Sequence, residues 1–205
     1  MLRAFMKKLF CVALAFIAVG ATHAGSETAS TRLTEDLDAP RFEISTESAY
    51  LMGIIGNPNS YEIGAQFLTA RVRWGAVHSD GWLRGFNQVY LLAMAEPIFR
   101  GPENYYFGIS AGLRYNFVRP GARLIPYISG GVGAGFIDSR SQISGAQGQD
   151  FTFNILTAAG VSYKMNDHWK ASVGILYQHL SNAKLTDPNP SLNLLGPQLG
   201  LTFSF

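Results

Sequence analysis

A histidine and a serine stand two residues apart in the segment LYQHLSNAKLTDPNPSLNLLG, near the end of this 205-residue chain. They are His179 and Ser181. On a β-strand, residues i and i+2 project from the same face, with Cα atoms roughly 6.5 Å apart. An imidazole and a hydroxyl at that separation can form a hydrogen bond, which is the minimum that a base-activated serine requires. The spacing alone therefore marks a candidate nucleophile and its base.

The residues before this pair alternate as a β-strand does. One face carries Ala171, Val173, Ile175, Tyr177, His179 and Ser181, and the other carries Lys170, Ser172, Gly174, Leu176, Gln178 and Leu180. The pair thus continues an apolar row. If that row faces lipid, each polar group costs energy unless it is satisfied, and two adjacent ones need a reason. The alternative is that both lie in the polar interfacial zone, where they are tolerated without any function.

Period-two alternation recurs along the chain, between clusters of Gly, Asn, Asp and Pro. It is clearest in 104–117 and 151–164, where aromatic residues stand at both ends of the apolar face. This placement is typical of strands that cross two membrane interfaces. The pattern predicts eight strands, at 41–52, 61–74, 87–98, 104–117, 123–137, 151–164, 169–181 and 193–205. The phase slips around Phe67-Leu68, which predicts a β-bulge there.

These strands predict an all-β fold, an eight-stranded antiparallel transmembrane β-barrel. An even strand number puts both termini on one side, and the short connection at 165–168 is typical of the periplasmic side. The connections near 53–60, 99–103, 138–150 and 182–192 then face outward. Side chains fill the interior of so small a barrel. Seven charged residues fall on or near inward phases and could pair there: Glu43, Glu47, Arg71, Arg73, Glu96, Arg114 and Lys170.

Residues 1–24 have the features of a cleaved secretory signal, with Arg3, Lys7 and Lys8 before a short apolar run and Ala24 at the cleavage site. The apolar run is too short for a membrane-spanning helix, although an uncleaved anchor is the alternative. Residues 25–205 then form the barrel. They keep 13 basic and 14 acidic residues, a formal net charge of −1, and the only cysteine, Cys11, is lost with the signal. This balance argues against nucleic acid as a partner.

The last residues, Leu199 to Phe205, alternate to the end and resemble the terminal strand signal of bacterial outer-membrane proteins. We therefore expect the chain in the outer membrane of a Gram-negative bacterium. The alternative is a soluble barrel such as a lipocalin, whose apolar face points inward. That alternative needs polar residues on the other face and leaves the aromatic residues at both strand ends unexplained.

The segment His179-Leu180-Ser181-Asn182-Ala183, followed by Pro188-Asn189-Pro190, resembles the signature of the lipid A 3-O-deacylase family, the PagL-like outer-membrane esterases. The match covers mainly residues 177–193. The resemblance implies that Ser181 attacks an ester carbonyl and that His179 takes and returns its proton. It also implies that Asn182 and the backbone N–H of Ala183 stabilise the oxyanion. The implied substrate is the acyl chain at the 3-position of lipid A, and the implied partners are lipopolysaccharide and outer-membrane lipid.

The chain departs from this family at two positions. Asn193 stands 14 residues after the histidine, where the family has a glutamate, and its phase points it to the same face as His179 and Ser181. An Asn carbonyl can fix the histidine tautomer but adds no charge. The substitution predicts a slower enzyme, one that recruits another acid such as Asp187, or an inactive relative. Lys184 replaces a glycine, and could steady a lipid A phosphate or spoil the oxyanion turn.

Three functions fit this sequence. The first is a serine esterase that deacylates lipid A, with His179, Ser181 and Asn193 as its catalytic residues. The second is a noncatalytic small barrel that acts in envelope structure or adhesion, and the third is a barrel that passes small hydrophobic compounds through a lateral opening. No cofactor is implied. The histidines lack metal-ligand spacing, and the glycines at 130–135 lie mid-strand, where they indicate close packing and not a phosphate loop. A homo-oligomer is left open.

Overall fold

The computed structural model describes residues 41–54, 61–78 and 81–205, which form a closed barrel of eight antiparallel strands. The strands are β1 (Phe42–Gly53), β2 (Glu62–His78), β3 (Gly85–Arg100), β4 (Tyr105–Phe117), β5 (Leu124–Ile137), β6 (Phe151–Lys164), β7 (Trp169–Ser181) and β8 (Leu192–Ser204). Every strand pairs with its neighbours in sequence, and β8 pairs with β1. All eight predicted strands are confirmed. The signal predicted for residues 1–24 lies outside the described residues.

The barrel has two unlike ends. Residues 101–104, 138–150 and 182–191 connect strands at one end, which we call the long-loop end. The opposite, short-turn end carries the connections at 118–123 and 165–168, together with the first residue of β1 and the last of β8. Among the described residues, no helix is long and apolar enough to cross a membrane.

The outer surface of the barrel is apolar and has an aromatic girdle at each end. At the short-turn end, Trp169 and Phe205 each pack against Phe203, with ring centroids 5.0 Å apart in both pairs. At the long-loop end, Phe151 contacts Phe136 and Phe153 at 5.7 and 5.2 Å. Amphipathic and aromatic rings at both edges of an apolar band are what two membrane interfaces favour. The fold is therefore the predicted eight-stranded transmembrane barrel.

Charged side chains fill the lumen near the short-turn end. Glu43 forms an ion pair with Lys170, and Glu47 forms one with Arg71. Six of the seven charged residues predicted to point inward have largely buried side chains: Glu43, Glu47, Arg71, Glu96, Arg114 and Lys170. The two ion pairs compensate four of these charges where water is scarce, whereas Arg114 and, toward the long-loop end, Glu96 form hydrogen bonds with neutral side chains.

Apolar side chains fill the lumen toward the long-loop end, where Leu51, Ile63, Phe67, Leu180 and Leu194 are buried. Between this apolar zone and the charged one lies a cavity of about 30 Å³. That volume holds about one or two water molecules. The described lumen is thus largely filled by side chains around this cavity.

The bulge predicted at Phe67-Leu68 is wrong. Phe67 is buried in the lumen and Leu68 is 61% exposed on the outer face, so the alternation runs through both residues without a break. Their pairing with β1 and β3 is also regular, and the shifts in register lie between Glu62 and Ile63 and between Trp74 and His78. The apparent slip arose because this part of the lumen is apolar, which makes both faces of β2 apolar at the same height.

Candidate active site

His179 and Ser181 lie side by side on the outer face of the barrel, as the alternation predicted. Both are at the long-loop end of β7, where Ser181 is the last residue of the strand. His179 Nε2 is 3.1 Å from Ser181 Oγ, which is a hydrogen bond. Both side chains are half-buried, whereas Leu180 between them is fully buried in the lumen. The pair therefore has the geometry of a serine hydroxyl with an adjacent base.

Asn193 is brought to the histidine by the register of the next strand. In the pairing of β7 with β8, Asn193 lies directly opposite His179. Its Oδ1 is 2.8 Å from His179 Nδ1. A chain of hydrogen bonds thus joins Ser181, His179 and Asn193, the three residues that the sequence marked as catalytic. The acid considered as an alternative, Asp187, is exposed in the following loop and is not the partner of either imidazole nitrogen.

The orientation of the Asn193 amide is set by two further groups. Its Nδ2 donates to the backbone carbonyl of Ser191 at 3.0 Å, and a carbonyl can only accept. The Tyr177 hydroxyl donates to Oδ1 at 2.8 Å. Because Oδ1 is therefore the atom facing the imidazole, His179 Nδ1 must carry its proton. Nε2 is then left with a lone pair, which can accept the proton of Ser181 Oγ.

The loop after β7 turns sharply around Asn182. The side chain of this residue is fully buried, and its Nδ2 donates to the carbonyls of Thr186 at 2.7 Å and Pro188 at 3.3 Å. Its backbone N–H donates to Asn189 Oδ1 at 3.1 Å. All the donors of Asn182 are thus engaged inside the loop. These contacts indicate that Asn182 shapes the loop, and the oxyanion role predicted for this residue stays a prediction.

The next two residues, Ala183 and Lys184, adopt left-handed backbone angles, with φ values of 53° and 63°. Lys184 N–H donates to Asn182 Oδ1 at 2.9 Å, so the lysine is held in this turn by a hydrogen bond of its own backbone. Within the described part of the chain, the N–H of Ala183 meets no acceptor. Ala183 remains the predicted oxyanion donor.

The loop at 182–191 leans on the loop at 138–150. Gly148 N–H donates to the Pro188 carbonyl at 2.7 Å, and the Thr186 hydroxyl donates to the side chain of Gln149. Gly148 is required by close approach, since a Cβ there would lie 2.7 Å from backbone atoms of Asp187 and Pro188. Ordinary contacts begin at 3.4 Å. The loop at 138–150 therefore fixes how closely the loop at 182–191 packs against it.

Asp138 anchors the second loop in turn. Its Oδ1 accepts the backbone N–H groups of Asn104 at 2.7 Å and Tyr105 at 3.0 Å. Burial by itself would raise the pKa of the Asp138 carboxyl, but the hydrogen bonds from Tyr105 and Asn104 outweigh it and hold the pKa below its usual range. Three connections of the long-loop end are thus joined, and the chain of contacts ends beside Ser181.

Apolar side chains surround the polar group on the outer face. Phe153 on β6 lies opposite Ser181, and Ile155 lies opposite His179. Phe151 stacks edge-on against Phe153, and Leu195 follows Asn193 on the same face of β8. A serine set in such a surface suits a substrate whose reactive ester is attached to an alkyl chain.

Sequence reasoning missed Tyr177, Ser191 and Gly148. Tyr177 precedes His179 by two residues on the same face, so its position was readable, but nothing indicated that its hydroxyl would meet Asn193 and not lipid headgroups. The roles of Ser191 and Gly148 depend on loop conformation, for which period-two alternation carries no signal. No three His, Cys, Asp or Glu side chains converge as metal ligands within 41–54, 61–78 and 81–205.

Comparison with known proteins places this chain in a family. The family model described as "Lipid A 3-O-deacylase (PagL)" matches residues 59–202. The crystal structure of the outer-membrane enzyme PagL superposes with a TM-score of 0.55 and 18% identity, over 80% of this chain and 99% of that one. Neisserial surface protein A superposes with a TM-score of 0.56 and 13% identity, over 80% of this chain and 97% of that one. No curated protein matches the sequence significantly.

Proposed function

Since the chain belongs to the lipid A 3-O-deacylase (PagL) family, we propose that it is an outer-membrane serine esterase that hydrolyses the acyl chain at the 3-position of lipid A. The observation that carries this proposal is the unbroken series of hydrogen bonds from Ser181 through His179 to Asn193 on the outer wall. A fold shared with a surface protein of a different name is compatible with a noncatalytic barrel. A noncatalytic role, however, does not explain why Ser181, His179 and Asn193 are connected in this order on an apolar surface.

The position of the site suits a lipid substrate. Long loops are typical of the extracellular end of outer-membrane barrels and short turns of the periplasmic end. With the long-loop end outward, Ser181 lies at the level of the outer leaflet of a Gram-negative outer membrane, which contains lipopolysaccharide. An ester in that leaflet reaches the serine by lateral diffusion, and its alkyl chain packs against Phe153 and its neighbours.

In the first half of the reaction, Ser181 Oγ attacks the carbonyl carbon of the ester while its proton passes to His179 Nε2. The Asn193 carbonyl keeps the Nδ1 proton of the resulting imidazolium in place. The N–H of Ala183 donates to the oxyanion of the tetrahedral intermediate. When the intermediate collapses, the bond to the sugar oxygen breaks and that oxygen takes the proton from His179.

In the second half, a water molecule repeats the sequence on the acyl-serine. His179 Nε2 accepts a proton from the water as its oxygen attacks the acyl carbon, and then returns that proton to Ser181 Oγ. The products are a free hydroxy fatty acid and lipid A with a 3-hydroxyl group. No step requires a cofactor. Because Asn193 orients the imidazole without opposing its charge, we expect turnover to be slower than with a carboxylate at this position.

The proposal is tested by expressing the full chain in cells with unmodified lipid A and determining the mass of the extracted lipid. We expect the loss of one hydroxyacyl chain with the wild-type protein and no loss with Ser181→Ala. Ser172→Ala is the matched control, because Ser172 lies on the same strand but on the lumen side, and it should deacylate like wild type. Unchanged lipid A from folded, membrane-inserted wild-type protein would favour the noncatalytic barrel instead.

A further inference from the structure

Tyr177 occupies a position that the proposed reaction does not use directly. It precedes His179 by two residues on the outer face of β7, and its pairing partner on β8 is Leu195, two residues after Asn193. Diagonal neighbours of this kind are within reach of a long aromatic side chain. The Tyr177 hydroxyl uses that reach to donate to Asn193 Oδ1 at 2.8 Å, the atom that also faces His179 Nδ1.

An asparagine in the third position has a weakness that a carboxylate lacks. The two oxygens of a carboxylate are equivalent, so rotation about its last bond changes nothing for the histidine. An amide that turns over places Nδ2 against His179 Nδ1, and two donors then face each other. The imidazole must respond by moving its proton to Nε2, and in that tautomer it cannot accept the proton of Ser181.

We propose that Tyr177 is a positioning residue that holds the Asn193 carbonyl on His179 and thereby replaces part of what the missing carboxylate would supply; this inference rests on the proposed esterase function. The backbone carbonyl of Ser191 selects which end of the amide points away from the histidine. Tyr177 adds a second hydrogen bond to the other end, so the amide is held from both sides. Donation by Nδ2 to a carbonyl also makes Oδ1 a better acceptor, because linked hydrogen bonds polarise one another.

A purely structural role for Tyr177 makes a different prediction. A tyrosine facing lipid needs a partner for its hydroxyl, and Asn193 could serve only that purpose. Removing the hydroxyl would then change barrel stability slightly and leave the reactivity of Ser181 alone. The two readings are therefore separated by measuring the serine, with and without an amide at position 193.

The experiment compares wild type, Tyr177→Phe, Asn193→Glu and the double variant as purified full-length protein in detergent micelles. One readout is the rate at which a long-chain alkyl fluorophosphonate labels Ser181, which requires the histidine but not lipid A. The other is the kcat for release of hydroxy fatty acid from lipid A. Tyr105→Phe is the matched control, because Tyr105 is another outward tyrosine at the long-loop end.

We expect Tyr177→Phe to slow both labelling and kcat by about three- to tenfold, the effect of one hydrogen bond, with KM unchanged. In the Asn193→Glu background the same substitution should change either rate by less than about twofold, since a carboxylate needs no such holding. Tyr105→Phe should match wild type. Nitrogen-15 NMR of His179 should show the Nδ1–H tautomer in wild type and a mixture in Tyr177→Phe.

The outcomes keep the two proposals apart. Wild-type protein that is labelled at Ser181 but leaves lipid A intact would refute the proposed substrate and leave the role of Tyr177 standing. Labelling of Tyr177→Phe at the wild-type rate, or an equal loss in both backgrounds, would overturn the role of Tyr177 and leave the esterase. Wild-type protein that is not labelled at Ser181 would overturn both.

Discussion

The substitution Gly148→Ala, in the loop next to the candidate site, should lower the rate of ester hydrolysis. A Cβ at this position would lie 2.7 Å from the backbone atoms of the Asp187–Pro188 peptide, and ordinary contact begins at 3.4 Å. The loop at 182–191 must therefore retreat by about 0.7 Å. The hydrogen bond that joins the two loops, from Gly148 N–H to the Pro188 carbonyl at 2.7 Å, would lengthen to about 3.4 Å, beyond the usual range for such a bond.

This retreat moves the segment that presents the N–H of Ala183. Displacements of about 1 Å in a reacting group cost up to about 100-fold in rate. Because the shift is somewhat smaller, we expect Gly148→Ala to lower kcat by about 10- to 100-fold, or roughly 1.4 to 2.7 kcal/mol of transition-state stabilisation. The three atoms nearest to the added Cβ all belong to the loop at 182–191 and none belongs to a barrel strand. The temperature of thermal unfolding, followed by circular dichroism, should therefore be nearly unchanged.

Gly130→Ala is the matched control for this experiment. A Cβ at Gly130 would meet its nearest neighbour at 3.8 Å, an ordinary contact. Both variants are assayed for release of hydroxy fatty acid from lipid A in micelles. Gly148→Ala that works at the wild-type rate while remaining folded would refute the view that the loop at 138–150 sets the position of the oxyanion donor.

Two further predictions concern charge. Asn193→Glu should raise kcat by about tenfold, because a charge-assisted hydrogen bond to the imidazolium is stronger than a neutral one by about 1 to 1.5 kcal/mol; an unchanged or lower rate of lipid A deacylation would place the third catalytic group elsewhere. Glu47→Gln leaves Arg71 buried without its counter-charge and should destabilise the barrel by about 3 kcal/mol or more. Glu62→Gln removes an exposed ion pair with Arg100 and leaves an amide oxygen that can still accept from the Tyr50 hydroxyl, so it should cost less than about 1 kcal/mol. Unfolding by urea in micelles measures both, and equal losses would contradict the compensated lumen.

Most of the barrel was predictable because each strand separates lipid from lumen. Where the lumen is polar or small, as along β4 and β7, the period of two is visible in the sequence and the strand bounds followed to within a residue or two. Where the lumen is apolar, the contrast disappears. Phe67 and Leu68 face opposite sides of the wall, yet both are apolar, and the pattern there indicated a bulge that the pairing does not contain.

The candidate site was predictable only as far as strand phase reaches. Phase placed His179 and Ser181 on one face, and phase in the next strand placed Asn193 there too. It could not show which way the Asn193 amide points. That orientation depends on the backbone carbonyl of Ser191, a loop residue with a φ of 53°. Nor could it separate Asn182, whose donors are used inside the turn, from Ala183, whose N–H is not.

Polar side chains on a lipid-facing wall are tolerated when they form hydrogen bonds with one another, and at this site almost all of the hydrogen-bonding groups are paired. The Ser181 hydroxyl meets His179, the imidazole meets Asn193, and the amide meets Tyr177 on one side and a backbone carbonyl on the other. The network stops at the lone pairs of Ser181 Oγ and, within the described residues, at the N–H of Ala183. An ester supplies what both lack, because its carbonyl carbon accepts an electron pair and its oxygen accepts a hydrogen bond. We therefore expect the resting site to be stable in lipid and to be completed by its substrate.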